Sequence, residues 1–383
     1  MTFRSWYATA PRGAEGPLER ELAALGAKGL RSSPGLLRFT GPRALALRAC
    51  LSLRTALRLL EPVGEYTCAS AEELYAGALT LPWAELVQPG QTIAVSASGK
   101  APGLDHTHFV ALKVKDAICD AIRAVRGDRP DVDAERPSVA VVVHLGRGRC
   151  SVSLDLCGAL LSDRGYRVRS VEAPVREALG AVVVSLSGWT GETPLHDPVC
   201  GSGTLPIEAA LFALGRAPGL TRTLACESWP RTRDEDARTL KLLREELAAV
   251  TRKREADGIP PIFASDRDAE AVQAAHANVA AAGLTKFITV EQADARQVRP
   301  LGPGGQLLLN VPYGERLDLG GKKQLKSFYH SLGAAFRTLS GHRIAVLSAA
   351  EEFESAFGMR PSDKPVELWN GPLRCKLLRY QVR

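Results

Sequence analysis

The sequence has no two cysteines spaced as CxxC. Its eight cysteines, Cys50, Cys68, Cys119, Cys150, Cys157, Cys200, Cys226 and Cys375, are scattered and often flanked by apolar residues. That argues against a zinc ribbon or a dithiol redox motif, and it fits buried free thiols in a reducing compartment. No apolar run approaches the roughly 18–20 residues of a membrane span. Met1 to Arg12 lacks the apolar core of a signal peptide. These absences lead us to expect a cytoplasmic chain with no membrane partner and no metal site. Neither sign of charge dominates: 49 Lys and Arg face 42 Asp and Glu, a net charge of +7. The excess suits a nucleic-acid partner, whose phosphates must be neutralised, and equally a basic protein that binds none.

What is present is a chain of 383 residues, 45% hydrophobic and 24% charged, enough to fill two or three cores. Typical domains run to roughly 100–200 residues. Residues 1–60 read as a small α+β unit: strand Ser5–Ala10, helix Gly16–Leu25 ending at Gly26, strand Gly35–Thr40, then helix and strand within Arg43–Leu60. Residues 61–160 read as a second α+β unit. It holds a short helix Ala71–Ala78, a strand Thr92–Ser98 and a helix His108–Arg126 whose Val110, Val114, Ala117, Ile118, Ala121 and Ile122 form one stripe. Strands Ser138–Leu145 and Cys150–Asp155 follow, joined by a turn at Gly146–Arg149. Lys113 and Lys115 are candidate phosphate contacts. Arg164, Arg167, Arg169 and Arg176 mark the junction to a third unit and read as solvated charge or as RNA contacts.

Residues 165–383 alternate strand and helix, the signature of a doubly wound α/β fold. The expected elements are a long helix Ala173–Trp189, strand end Leu195–Pro198, helix Thr204–Leu214, strand Pro261–Ser265, helix Ala269–Ala282 and strand Phe287–Gln292. Then come strand Gln306–Asn310, helix Lys326–Leu339, strand Arg343–Ser348 and a closing strand Leu373–Val382. A charged stretch, Ala217 to Gly258, is inserted between the helix Thr204–Leu214 and the strand Pro261–Ser265.

Chemistry concentrates at strand ends. Asp197-Pro198-Val199-Cys200-Gly201-Ser202-Gly203-Thr204 joins a strand to a helix, and two glycines let the backbone approach a ligand ahead of free helix N–H groups. A GxG turn alone could serve NAD, a phosphate, S-adenosylmethionine or nothing. A dinucleotide fingerprint needs a third glycine where Pro206 stands and an acid about 20 residues on. No GK[ST] follows, which excludes a P-loop. Two later acids fit a different cofactor: Asp266 after one strand can accept ribose hydroxyls, and Asp294 after the next can accept an adenine amine. Either alone could be a helix cap.

The sharpest signal is Asn310-Val311-Pro312-Tyr313 at the end of a strand. An exocyclic base amine is a poor nucleophile because its lone pair is delocalised into the ring. The Asn310 side-chain oxygen and the Val311 carbonyl can accept its two hydrogens and aim the nitrogen at a methyl sulfonium, while Tyr313 stacks on the base. Adenine N6 and guanine N2 both satisfy this geometry. Glu315, held by Arg316, could accept the guanine N1–H, or the two could form a surface ion pair.

At this point the sequence resembles the bacterial THUMP-domain guanine-N2 RNA methyltransferases that act on ribosomal RNA, with related tRNA enzymes. Ser5–Gly13 and Glu21–Gly26 resemble the family's ferredoxin-like element. Ser162–Arg167 resembles the entry to its methyltransferase domain, and Asp197–Thr204 with Ile207–Ala210 its cofactor loop. Ala217–Leu220, Asp266 and Asn278 match further positions. Asn310–Arg316 resembles its catalytic NPPYGER, with Val311 where the family has proline, and Asn370–Lys376 resembles its C-terminal strand. Valine keeps the carbonyl and loses one fixed φ. The resemblance implies a class I, Rossmann-like methyltransferase domain behind ferredoxin-like and THUMP domains. It implies S-adenosyl-L-methionine as cofactor, held by Asp197, Pro198, Cys200, Gly201, Gly203, Thr204, Asp266, Asp294 and Asn310, with Asn310, Val311, Pro312 and Tyr313 at the reacting centre. The implied partner is RNA, 23S ribosomal RNA first and tRNA second. An adenine-N6 DNA methyltransferase and a non-catalytic RNA-binding factor are the rival readings.

Overall fold

The computed structural model describes residues 3–171, 174–313 and 322–383. The N-terminal part runs β1 (Arg4–Thr9), α1 (Glu15–Ala24), β2 (Lys28–Ser33), β3 (Leu36–Gly41), α2 (Arg43–Ser52), β4 (Arg58–Thr67), α3 (Ala71–Leu79), α4 (Trp83–Leu86), β5 (Ile93–Gly99), α5 (Thr107–Arg126), β6 (Val139–Gly146) and β7 (Arg149–Asp155). Alternation makes these strands: in β6, Val139, Val141, Val143 and Leu145 are buried and the residues between them are not. All seven strands form one sheet in the order β2-β3-β1-β4-β7-β6-β5. It is antiparallel except where β5 runs parallel to β6. β4 spans residues 58–67 and pairs with β1 on one side and β7 on the other, so the sheet runs unbroken past residue 60. β2 was not foreseen. It is an edge strand with no buried residue, so it carries no apolar signal.

The C-terminal part runs α6 (Glu177–Leu186), β8 (Leu195–Asp197), α7 (Thr204–Ala213), α8 (Arg233–Asp257), β9 (Ile262–Asp266), α9 (Ala269–Ala281), β10 (Ile288–Gln292), β11 (Gln306–Asn310), α10 (Lys322–Phe336), β12 (Arg343–Ser348), α11 (Phe353–Phe357), β13 (Val366–Asn370) and β14 (Leu373–Gln381). Its sheet has the order β10-β9-β8-β11-β12-β14-β13. The first five are parallel, and β14 is antiparallel to both neighbours. β11 is a run of apolar residues buried on both faces, as parallel strands covered by helices are. The strand order reverses between β8 and β11, and that switch point opens a crevice at the carboxyl ends of the strands.

Two expectations need correction. The long helix expected over Ala173–Trp189 is only Glu177–Leu186: Pro174 and the extended backbone of Arg176 delay its start. β14 does not close the sheet, because β13 pairs outside it. The charged insertion contains the 25-residue α8, which clamps the two parts together. The Arg43 guanidinium, in α2, donates to Asp236 at 2.6 and 2.7 Å, and both side chains are buried. Arg231 reaches Glu61 at 2.7 Å, and the Trp229 indole donates to the Ser138 carbonyl. A single apolar cluster runs from Trp6 to Leu377, so the parts share a core. No described helix is long and apolar enough to cross a membrane.

Candidate active site

The loop after β8 is built by its own hydrogen bonds. The Cys200 amide donates to the Ser265 carbonyl at 2.9 Å, and the Gly203 amide donates to the Cys200 carbonyl at 2.8 Å. Gly201 and Gly203 hold φ of +51° and +85°, where a side chain is strained. A Cβ on Gly203 would also lie 3.4 Å from Ala275 of α9. The loop therefore packs tightly against the sheet and delivers the N-terminus of α7 to the crevice.

Three acids stand around it. Asp197 is buried and accepts from the Val199 amide at 3.2 Å. Burial pushes its carboxyl well above the usual range, and nearby Asp266 adds to the rise. Asp266, at the end of β9, accepts from the Gly201 amide at 2.9 Å and the Asp268 amide at 3.1 Å. Burial raises its carboxyl too, and those two amides oppose the rise. Asp294 behaves differently. Arg296 holds both its oxygens, and the Arg296 amide donates to one of them, which lowers its carboxyl below the ordinary value. A carboxylate has about four lone-pair sites, so room remains for another donor.

Asn310 ends β11, with Val311, Pro312 and Tyr313 leading out of the sheet. The Asn310 Oδ1 atom is buried and has no hydrogen-bond partner among the described residues. An unsatisfied buried acceptor costs about 1–3 kcal/mol, so it marks a place where a ligand donor belongs. The Val311 amide donates to the Leu347 carbonyl at 3.2 Å. The Pro312 carbonyl is taken by the Tyr329 hydroxyl, which leaves the Val311 carbonyl as the second acceptor to consider. The Asn370 amide donates to the Tyr313 hydroxyl at 3.4 Å. Glu315 and Arg316 lie outside the described residues.

These residues line one cavity of about 180 Å³. Asp197, Pro198, Cys200, Gly201, Thr204, Asp266, Asp294, Asn310, Val311, Pro312 and Tyr313 all face it. Gly203 is not in its wall and acts instead as the cap of α7. Val171, Val175, Leu205, Arg267 and Phe328 are also in the wall. They are apolar or aromatic for the most part, and no motif pointed to them. Among the described residues, no three His, Cys, Asp or Glu side chains are grouped to hold a metal.

Behind the wall is a set of buried ties that the sequence reading did not identify. Arg167 donates to Glu177, Ser202, Thr204 and the Val175 carbonyl at 2.7–3.0 Å. Arg164 pairs with buried Glu208, which also accepts from Tyr166. Asn278 accepts from the Val168 and Arg169 amides and donates to the Ser202 carbonyl. Arg164 and Arg167 are therefore neither solvated charge nor RNA contacts, as expected earlier, but latches that hold residues 161–169 against the glycine loop.

A family model for the RMKL-like methyltransferase domain matches residues 164–379, more than half of the chain. The chain belongs to this family. Ahead of the methyltransferase domain, residues 5–60 match the RlmL ferredoxin-like domain and residues 68–155 match the THUMP domain. The ribosomal RNA large subunit methyltransferase K/L of Syntrophotalea carbinolica is 39% identical over 98% of this chain and 53% of its own length. That of Aeromonas salmonicida is 37% identical over 99% of this chain and 54% of its own. The chain thus spans about half the length of these curated relatives. The crystal structure of SMU.472, assigned as a methyltransferase and complexed with SAH, superposes with a TM-score of 0.88 at 28% identity, covering 100% of this chain and 99% of that one. In this RMKL-like fold, the crevice between β8 and β11 brings together the glycine loop, Asp266, Asp294 and Asn310.

Proposed function

We propose that this chain transfers a methyl group from S-adenosylmethionine to the exocyclic N2 amine of a guanosine in RNA, with 23S ribosomal RNA the first candidate substrate, in the cytoplasm. The observation that carries the reading is the buried, unpartnered Asn310 Oδ1 atom in the wall of the cavity. It is paired with a glycine loop and two strand-end carboxylates at the switch point of the sheet. The bound SAH of the SMU.472 structure and the family membership support the cofactor.

S-adenosylmethionine supplies a methyl group on a cationic sulfur that leaves as a neutral thioether. The chain's residues do the rest. Asp266 accepts from ribose hydroxyls. Asp294 accepts from the adenine amine. The backbone of Gly201 to Thr204 lies against the amino-acid end. Asn310 Oδ1 and the Val311 carbonyl accept the two amine hydrogens, so the nitrogen lone pair is directed at the methyl group without prior removal of a proton by a strong base, and the methylated nitrogen then loses one proton to water. Tyr313 stacks on the base, which has left its helix. Rate comes from orientation and proximity, worth up to roughly 7–11 kcal/mol in well-aligned systems. Residues 1–60 and 61–160 are taken as the ferredoxin-like and THUMP units that hold RNA, and 165–383 as the methyltransferase unit. Lys113 and Lys115 are weaker phosphate candidates than they looked. Lys113 lies over the Tyr75 ring, and Lys115 pairs with Asp116 at 3.0 Å.

The test is to incubate the chain with labelled S-adenosylmethionine and protein-free large-subunit ribosomal RNA, tRNA or DNA, and to digest the products to nucleosides. Label in N2-methylguanosine from ribosomal RNA is the expected outcome. Label in N6-methyladenine, or in DNA alone, would overturn the substrate reading and leave the cofactor site standing.

A further inference from the structure

All but one of the five tryptophans are buried. Trp6, Trp83, Trp189 and Trp229 lie in the core, and Trp369 alone is partly exposed. It stands on the edge strand β13, one residue before the Asn370 that holds Tyr313. Across the strand it pairs with Arg374, whose side chain is 62% exposed. The loop after β1 reaches over to it from the N-terminal unit. Gly13, at φ +85°, presses so closely on β13 that an added Cβ would sit 2.2 Å from the Glu367 carbonyl oxygen. That contact fixes Arg12 over the Trp369 ring, its guanidinium 5.1 Å from the centroid. Arg12 is exposed and forms no ion pair among the described residues. A cleft of about 390 Å³ opens here, lined by Arg12, Glu15, Ser32, Ser33, Pro34 and Trp369.

A partly exposed aromatic ring with arginines and hydroxyls around it is the composition that holds unpaired nucleotides: the ring stacks a base and the cations take the phosphates. Arg12 supplies the cation for a phosphate here, since it has no ion-pair partner among the described residues. Glu15 is turned inward to the Gly35 amide at 2.6 Å, and Arg374 is paired with Glu367. The place is also fitting, because a base that leaves its helix to reach Tyr313 pulls its neighbours out of stacking, and they need a surface. We propose that the Arg12–Trp369 cleft is a platform for an unpaired RNA nucleotide next to the methylated one. This rests on the reading of the chain as an RNA methyltransferase. The platform joins the two units on β13, one residue from the Asn370 that bonds Tyr313, so docking of RNA on the N-terminal sheet sets the register of the strand that enters the catalytic one.

Trp369 is its own reporter. In the intact chain, a single-stranded oligoribonucleotide should quench tryptophan fluorescence, a fully paired RNA duplex should quench it much less, and Trp369→Phe should abolish the response while keeping a ring to stack on. Trp369→Ala should weaken RNA binding by about tenfold, in line with loss of one stacked base. Arg12→Ala should lower the salt slope of binding by about one. S-adenosylmethionine affinity should stay unchanged in all three variants. If the wild-type chain methylates RNA while its fluorescence ignores RNA and the variants bind normally, the platform is wrong and the proposed function stands. A wild-type chain that neither binds nor methylates RNA would overturn both.

Discussion

The molecule is made of two seven-stranded sheets with opposite habits. The N-terminal sheet is almost wholly antiparallel and zigzags through two sequence units. The C-terminal sheet is parallel over five strands and reverses its order once, between β8 and β11. Strand number is equal, so connectivity makes the difference. A parallel sheet sends every strand end to the same edge, and a reversal there separates the flanking loops into a crevice. The glycine loop, Asp266, Asp294 and Asn310 all occupy that edge. The antiparallel sheet sends its ends both ways, offers a broad surface instead, and carries the expected RNA-holding role.

The comparison can be broken most severely at Asn310. Asn310→Ala should cut single-turnover methyl transfer by more than about a hundredfold, since lost alignment alone can cost that much, with cofactor and RNA affinity nearly unchanged. A wild-type rate would make the motif only a turn. The next largest effect joins the two sheets. Arg43→Ala strands the buried Asp236 carboxylate and should cost about 3–5 kcal/mol in denaturant unfolding, because a buried ion with no partner is left behind. A loss below 1 kcal/mol would mean that α8 is not the clamp between the parts. Asp266→Ala should weaken S-adenosylmethionine by about 1.5–3 kcal/mol in calorimetry and leave RNA binding alone. Since burial raises the Asp266 carboxyl, cofactor affinity should also fall on acidification at a pH above that of an ordinary aspartate, as its acceptor form is lost.

The smallest expected effect concerns His196, buried behind the glycine loop with Nε2 2.9 Å from Ser265 Oγ. Burial lowers its pKa from 6.5 to about 4. The folded value lies below the unfolded one, so the stability that this neutral ring contributes is complete above pH 6.5 and is lost as pH falls toward 4. His196→Gln should flatten that part of the stability curve. An unaltered slope would show that other groups carry it.

How much the sequence reveals also differs between the regions. β11 and β12 were legible with the bounds the structure gives, because their runs of buried aliphatic residues end at polar punctuation. The motif residues were legible because each sits at a strand end, where chemistry shows against an apolar background. β2 and β13 were not, since solvated edge strands carry little pattern. α8 was read as an inserted charged stretch because only Asp236, Leu240, Leu243 and Thr251 of its 25 residues are buried. Arg164 and Arg167 misled for a related reason. Their partners Glu208, Ser202 and Thr204 lie 35–44 residues away, and local sequence does not distinguish an arginine in water from one inside a latch. Phe328, which forms part of the cavity wall, comes from α10 and has no motif around it.

The most direct test of the central claim is a crystal structure of the chain with S-adenosylhomocysteine. The account predicts the ligand in the crevice between β8 and β11, its ribose on Asp266, its adenine by Asp294 and its sulfur facing Asn310. A ligand bound elsewhere, or one in the crevice with its sulfur turned away from Asn310, would contradict it.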